Sequence, residues 1–172
     1  MNQISVQEDL IIAQAGALLS QVSKAAMEHG LTGLEFASGI PGTMGGSVVM
    51  NAGAYGGEME QVVEQVTVLD KNGEVLELSR GDMEFGYRTS VIKNRPFIVL
   101  EVQLRLKAGA REEIALKMKE LSGKRKEKQP LEYASAGSTF KRPEGYFAGK
   151  LIMDAGLRGY SIGGAKVSEK HC

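Results

Sequence analysis

Short stretches of apolar residues, several of them alternating with polar ones, run through this chain and predict strands with a buried face. One stretch has a different spacing: residues 17–29 carry apolar side chains at helical intervals, and Gly30 follows as a helix stop. The turn Asp-Lys-Asn-Gly at 70–73 joins two strands into a hairpin. The predicted strands are residues 10–14, 62–68, 75–78 and 96–106.

The last third of the chain is more polar and predicts a separate lobe. Residues 110–128 form a charged helix with an imperfect apolar stripe, and Pro130 ends it. The stripe consists of Ile114, Leu116, Met118 and Leu121. Beyond this helix we expect a strand at 139–140, a helix at 146–155 and the beginning of another strand in the tail.

Composition narrows the class of protein. The 172 residues include 21 basic and 21 acidic ones, so neither a nucleic-acid footprint nor a polybasic membrane patch is expected. Cys172 is the single cysteine, and an internal disulfide framework is therefore impossible. No stretch approaches the roughly 20 apolar residues that span a bilayer. We expect a soluble, cytoplasmic protein of mixed α and β structure.

A dense run of glycines is the most informative local feature. Seven glycines fall within the nineteen residues from Gly39 to Gly57. Glycine reaches positive φ freely and lets another group approach the backbone closely. The run matches neither the dinucleotide fingerprint G-x-G-x-x-G nor the P-loop. It predicts a cradle for a flat or phosphorylated cofactor, with a tight corner in a small β-rich domain as the alternative.

Two further motifs carry candidate chemistry. Phe-Gly-Tyr-Arg-Thr-Ser at 85–90 contains Arg88, whose planar fork suits a carboxylate or enolate, unless it only forms a surface ion pair. Ala-Gly-Ser-Thr-Phe-Lys-Arg-Pro at 136–143 contains Ser138, which is either a proton donor or an ordinary turn serine. The only histidines are His29 and His171, and we predict no metal site and no nucleophilic triad from them.

Taken together and in order, these motifs resemble one enzyme family, the UDP-N-acetylenolpyruvoylglucosamine reductases (MurB). The resemblance covers nearly the whole chain and is far more specific than a single glycine motif. The segments that carry it are residues 33–46, 50–58, 85–90, 128–143 and 154–168.

The resemblance implies an α+β fold. Its first part would be the second FAD-binding subdomain of the vanillyl-alcohol oxidase/p-cresol methylhydroxylase type, and its second part a partial C-terminal α/β substrate domain. The boundaries expected on this basis are 1–109 for the FAD-binding subdomain, 110–130 for a connecting helix and 131–172 for the start of the substrate domain.

The resemblance also implies a reaction, in which FAD and NADPH serve to reduce UDP-N-acetylglucosamine enolpyruvate to UDP-N-acetylmuramate for peptidoglycan synthesis. Arg88 matches the family's charge-stabilising arginine, and Ser138 matches its proton-donating serine. Tyr87, Lys128 and Arg142 match positions at the nucleotide-sugar substrate. The positions that match the flavin-wrapping segment are Gly39, Ile40, Pro41, Gly42, Thr43, Gly45, Gly46, Asn51, Ala52 and Gly53.

The sequence departs from the family pattern at both ends. Members begin with an additional FAD-binding subdomain that carries a phosphate loop, and they end with a segment that supplies a catalytic glutamate. Neither segment is found here, and a tyrosine-bearing substrate loop is also missing, which indicates the shorter branch of the family. We therefore expect an internal fragment that binds FAD weakly or not at all and shows negligible turnover.

Two other functions stay open at this stage. A different flavin oxidase or dehydrogenase of the same fold would need no carbon-protonating serine. An inactive fragment that survives as a binding module would bind the nucleotide sugar without FAD. The oligomeric state does not follow from the sequence.

Overall fold

The computed structural model describes residues 1–172, which divide into two units, Met1–Ser122 and Gly123–Cys172. The first unit contains most of the strands. They are β1 (Ile4–Gln7), β2 (Leu10–Gln14), β3 (Leu31–Thr32), β4 (Gly53–Ala54), β5 (Gly57–Glu58), β6 (Val63–Leu69), β7 (Val75–Ser79), β8 (Ile98–Arg105) and β9 (Lys107–Ala108). Its helices are α1 (Leu19–Glu28) and α2 (Met44–Val49), and α3 (Arg111–Lys128) starts in it.

Five of these strands form one antiparallel sheet in the order β1-β2-β8-β6-β7. The central strands place alternate apolar residues on one face, where Val102 of β8 lies opposite Ala13 of β2 and Val66 of β6. These three side chains are fully buried. Short pairs β3-β9 and β4-β5 lie outside this sheet.

The core lies where this sheet face packs against α1 and α2. Leu19 and Val22 of α1 and Met44 and Val48 of α2 are fully buried in the same cluster as the sheet residues. Burying a side chain of this size contributes about 1.5–3 kcal/mol each. The core therefore fixes α2, and with it the middle of the glycine run, against the sheet.

Most of the predicted elements are confirmed. The four predicted strands correspond to β2, β6, β7 and β8, and the helix expected at 17–29 is α1. Gly30 follows α1 with a φ of 66°, as a helix stop requires. The helix expected at 110–128 is α3.

Two details of the predicted pattern are wrong. Leu116 does not belong to the apolar stripe of α3, because it is 66% exposed while Ile114 and Leu121 are buried. Positions 114 and 121 are seven residues apart and share a helix face, whereas position 116 points away from it. Residues 139–140 form no strand.

The second unit has little regular structure. It contains α4 (Ala148–Asp154) and a hairpin of β10 (Ser161–Ile162) and β11 (Ala165–Lys166). The helix lies within the range predicted for it, and the tail forms this hairpin rather than the beginning of a longer strand. None of residues 123–172 is buried, so this unit has no hydrophobic core of its own. No helix of either unit has the length and apolar character needed to cross a membrane.

The turn between β6 and β7 is closed by Asp70. Its carboxylate accepts hydrogen bonds from the backbone N–H groups of Glu74 (2.9 Å) and Asn72 (2.8 Å). These bonds, led by the one from Glu74, lower the pKa of Asp70 below its ordinary value. A lowered carboxyl pKa means that the bonds stabilise the turn above the ordinary pKa of aspartate, and that this stabilisation is lost as the pH falls through the lowered pKa.

We accordingly expect faster hydrogen exchange at the Glu74 amide, relative to its intrinsic rate, as the pH is lowered through that range. Asp70→Asn is the control, because a side chain that does not titrate should remove the pH dependence. NMR exchange rates at several acidic pH values measure both. An Asn variant with the same pH dependence as the unmodified chain would refute this explanation.

Candidate functional site

Helix α2 begins inside the glycine run and is held closely against residues 15–17, which lie between β2 and α1. Thr43 caps it, since its side chain accepts a hydrogen bond from Gly46 N–H. The Met44 and Gly45 N–H groups donate to the backbone oxygens of Ala17 and Ala15, at 2.8 and 2.9 Å. A Cβ on Gly45 would lie 3.0 Å from the Ala15 Cβ. Gly45 is therefore needed for packing within the chain.

The second part of the run forms the hairpin β4-β5, and its glycines are also packed against the chain. A Cβ on Gly53 would lie 2.7 Å from the Gly57 carbonyl oxygen. A Cβ on Gly57 would lie 2.5 Å from the ring of Phe36. The close approach that the sequence predicted for a ligand is, at these positions, an approach of the protein to itself. At these glycines the structure shows the tight corner that was the alternative to a cofactor cradle.

The beginning of the run is the part that lies open. Gly39, Pro41, Gly42 and Gly46 are exposed, and a Cβ on Gly42 would meet nothing within 4 Å. Gly42 has a φ of 135°, which side chains rarely adopt. An exposed backbone with no side chain above it fits a flat or phosphorylated group such as FAD. This surface, residues 39–43 with Gly46, is called the open glycine surface below.

The remaining predicted cofactor positions are less accessible. Ile40, Thr43, Ala52 and Gly53 are partly buried, while Gly45 and Asn51 are buried. Backbone atoms are therefore the main groups that this segment can offer to a cofactor.

The turn at 86–89 brings Arg88 to the hairpin. Gly86 and Thr89 exchange two backbone hydrogen bonds of 3.2 Å, which leaves Tyr87 and Arg88 at the tip. The Arg88 guanidinium donates to the carbonyl oxygens of Gly53 (2.9 Å) and Asn51 (3.5 Å). The partners of Arg88 are thus backbone oxygens, and not the carboxylate of the surface ion pair that was the alternative for this residue. An arginine has several N–H donors, and these contacts use only two of them.

The backbone at Arg88 is itself unusual. Its φ is 56°, a left-handed conformation that costs a residue with a Cβ about 1–2 kcal/mol. Such conformations persist where the surroundings enforce them, often at functional sites. The guanidinium also lies 5.2 Å from the ring centre of Tyr87, which is 51% exposed. The Arg88 guanidinium and the Tyr87 ring therefore lie side by side, next to the hairpin β4-β5.

Asn51 lies at the centre of this arrangement, and its burial was not predicted. Its side chain is fully buried, and its oxygen accepts from Glu60 N–H at 2.9 Å. Its amide nitrogen donates to the Gly86 carbonyl (3.2 Å) and to the Glu58 carboxylate (3.3 Å). A polar residue between two segments 35 positions apart leaves no periodic signal in the sequence. The backbone φ of Asn51 is 41°, which marks the position as unusual, but this angle is known only from the structure.

The predicted residues of the second unit are all exposed. Ser138 follows Gly137, whose φ is 75°, and its hydroxyl lies 3.5 Å from Nε2 of His171. The sequence alone does not predict this contact, because the two residues lie 33 positions apart. Lys128 is the last residue of α3, and the Arg142 guanidinium lies 5.3 Å from the ring centre of Phe147. The unit thus presents a serine with a histidine neighbour and two cations.

Two family models match the chain. Residues 1–79 match one described as "FAD binding domain", and residues 129–172 match "UDP-N-acetylenolpyruvoylglucosamine reductase, C-terminal domain". These matches agree with the α+β fold expected from the resemblance.

Curated proteins and a solved structure give the same family. The chain is 61% identical over 171 residues to UDP-N-acetylenolpyruvoylglucosamine reductase of Caldanaerobacter subterraneus subsp. tengcongensis, covering 99% of this chain and 57% of that protein. It is 57% identical over 171 residues to the reductase of Clostridium tetani, covering 99% of this chain and 56% of that protein. The chain therefore spans somewhat more than half the length of these relatives.

A solved structure is also similar to this chain. The crystal structure of UDP-N-acetylenolpyruvylglucosamine reductase (MurB) from Thermus caldophilus superposes with a TM-score of 0.85 at 41% identity. The match covers 93% of this chain and 59% of that one.

Proposed function

We propose, from the premise that this chain belongs to the UDP-N-acetylenolpyruvoylglucosamine reductase family, that it carries part of the flavin site and of the active site of such an enzyme. The reaction would be the NADPH-dependent reduction of UDP-N-acetylglucosamine enolpyruvate to UDP-N-acetylmuramate. The observation that carries the proposal is the position of the Arg88 guanidinium. It is held by the carbonyl oxygens of Asn51 and Gly53, in the segment that follows the open glycine surface.

The open glycine surface would hold FAD through its backbone. The residues proposed for this are Gly39, Ile40, Pro41, Gly42, Thr43 and Gly46, with Ala52 and Gly53 beyond α2. When bound and reduced by NADPH, FAD would supply the hydride that adds to the enolpyruvyl double bond. Gly45 would contribute by allowing α2 to pack closely, since its own surface is buried.

Arg88 would stabilise the negative charge that develops on the carboxylate side of the substrate. Hydride addition to the β carbon of an enol ether leaves electron density next to the carboxylate, and a guanidinium binds such a group through two parallel hydrogen bonds. Because the guanidinium is already held by backbone oxygens, little reorganisation is needed when the substrate arrives.

Ser138 would then give a proton to the carbon that carries the carboxylate. His171, 3.5 Å from the hydroxyl, is the neighbour that could exchange a proton with it. Lys128 and Arg142 would bind the diphosphate of the nucleotide sugar, and Tyr87 would contact the substrate beside Arg88.

The domain boundaries, the cellular location and the partners expected from the sequence are also part of the proposal. The domains would be 1–109, 110–130 and 131–172. The protein would act in the cytoplasm, in cell wall biogenesis and hence in cell shape and division, without binding nucleic acid or membrane.

A chimera tests the proposal directly. Residues 1–172 of this chain would replace the matching residues of the Caldanaerobacter reductase, so that the remaining length is supplied by a relative. We expect the chimera to oxidise NADPH only when the enolpyruvyl nucleotide sugar is present. The decrease in absorbance at about 340 nm measures this oxidation. A chimera that binds FAD and stays folded but shows no substrate-dependent oxidation would refute the proposal.

A further inference from the structure

A buried side chain fastens the turn that carries Arg88 to the hairpin β4-β5. We infer that Asn51 is a positioning residue, which holds this turn and thereby sets the place of the Arg88 guanidinium. The inference rests on the proposed function of Arg88. It gives Asn51 a role that acts through Arg88, instead of the flavin contact expected from the resemblance.

The side chain of Asn51 joins two segments that are distant in sequence. Its amide nitrogen donates to the carbonyl of Gly86, the residue that closes the turn at 86–89. Its oxygen accepts from Glu60 N–H, directly after the hairpin β4-β5. Because the side chain is fully buried, water cannot replace either bond. The turn is thus tied to the hairpin.

The backbone of Asn51 completes a ring of contacts. Its carbonyl oxygen accepts from Arg88 at 3.5 Å, next to the 2.9 Å bond that Arg88 makes to Gly53. The side chain of Asn51 therefore holds the base of the turn, while its carbonyl receives the guanidinium at the tip. A shift of the base would move the tip away from both carbonyl oxygens.

Asparagine is suited to this place for two reasons. Its φ is 41°, and among residues with a side chain Asn and Asp adopt this region most readily. Its amide both donates and accepts, as the two bonds require. An ionised aspartate would keep the conformation and the bond from Glu60 N–H, but it could not donate to Gly86. It would also place a second carboxylate beside Glu58, 3.3 Å away. Asn51→Asp therefore removes both bonds that the amide nitrogen donates, to Gly86 and to Glu58, and keeps the bond from Glu60 N–H.

The first measurement uses the 172-residue chain and follows the guanidinium of Arg88 by NMR, assigned by comparison with Arg88→Lys. In the Asn51→Asp variant we expect the Arg88 guanidinium to rotate faster about its Nε–Cζ bond, by on the order of tenfold. This is the effect of losing about one hydrogen bond. The Glu60 amide should keep its protection from hydrogen exchange. An unchanged rotation rate would overturn the inference, whatever the function of the chain is.

Ser90→Ala is the matched control. The Ser90 hydroxyl is also buried and donates to the Val49 carbonyl at 2.9 Å, but it does not contact Gly86. We expect this variant to lose stability and to leave the rotation of Arg88 unchanged. Equal acceleration in both variants would mean that Asn51 has a merely structural role, and the inference would fail.

A measurement without any substitution covers the case in which Asn51→Asp does not fold. In the unmodified chain, the side-chain amide protons of Asn51 should exchange with solvent at least about tenfold more slowly than those of the exposed Asn94. Similar exchange rates would contradict the tie to Gly86.

Kinetics of the chimera separate this inference from the proposed function. Asn51→Asp should lower kcat by on the order of tenfold and leave KM for NADPH unchanged, because only the stabilisation of the transition state is weakened. If Arg88 becomes mobile while kcat stays the same, the positioning of Arg88 by Asn51 is upheld and the catalytic role of Arg88 is wrong.

Discussion

Replacing Arg88 by alanine in the chimera is expected to lower kcat by about 10²–10³-fold, the loss typical of removing one group that stabilises developing negative charge. The structure gives the physical reason, since the guanidinium is held in place by the carbonyl oxygens of Gly53 and Asn51. Stabilisation of this kind acts in the transition state, so kcat and kcat/KM should fall together. Steady-state NADPH oxidation at saturating substrate measures both.

Arg88→Lys and Arg105→Ala provide the comparison. Lysine keeps the positive charge but lacks the planar fork, so we expect it to recover only part of the loss. Arg105 lies on the sheet surface, where it pairs with Glu64 and Asp9. Those two carboxylates, led by Glu64, raise its pKa further, and it stays charged throughout the working pH range. Arg105→Ala therefore removes the same charge elsewhere and should leave kcat unchanged. A kcat of Arg88→Ala within threefold of the unmodified chimera would contradict the assignment.

Gly57→Ala is expected to destabilise the first unit by about 1–3 kcal/mol, the usual cost of forcing an additional atom into a packed site. The added Cβ would lie 2.5 Å from the ring of Phe36, which is only 6% exposed and cannot move outward freely. Urea unfolding of the 172-residue chain measures the change in the free energy of unfolding, with an unchanged m value.

Two further variants test the cause of this effect. Gly123→Ala changes a glycine in α3 whose Cβ would meet nothing within 4 Å, and we expect it to stabilise the chain by up to about 1 kcal/mol. Combining Gly57→Ala with Phe36→Leu should cost less than the sum of the two single changes, because the smaller side chain leaves room. Strict additivity of the two changes would show that the overlap with Phe36 is not the cause.

The regular elements of the first unit follow from local patterns in the sequence. Alternation predicts β6 and β8, and helical spacing predicts α1, because each of these elements buries one face against the core. The same logic fails for Leu116, where the apolar residue lies on the solvent side of a charged helix. In the second unit, where no residue is buried, α4 lies within its predicted range but the strand expected at 139–140 does not form.

The interior of the glycine run could not be predicted in the same way. Its glycines serve two purposes that look identical in sequence: Gly45 and Gly57 admit other parts of the chain, whereas Gly42 faces open space. The helix α2 within the run is short, and its two glycines disfavour it by propensity, so tertiary packing decides its formation. The contacts of Asn51 and Arg88 join segments 35 to 37 residues apart, a separation to which no local pattern responds.

The central claim is that the open glycine surface binds FAD, and the visible absorption spectrum tests it most directly. The chimera is made with Gly42→Leu or with Gly73→Leu. Each variant is incubated with FAD and passed through gel filtration before its spectrum is recorded. Both glycines have positive φ, 135° and 84°, and neither would place a Cβ within 4 Å of another atom, so both substitutions strain the backbone without a clash of the added Cβ. If the open glycine surface faces the flavin, Gly42→Leu elutes without flavin absorbance and Gly73→Leu retains it. Retention of flavin by both variants at equal stoichiometry would contradict the account.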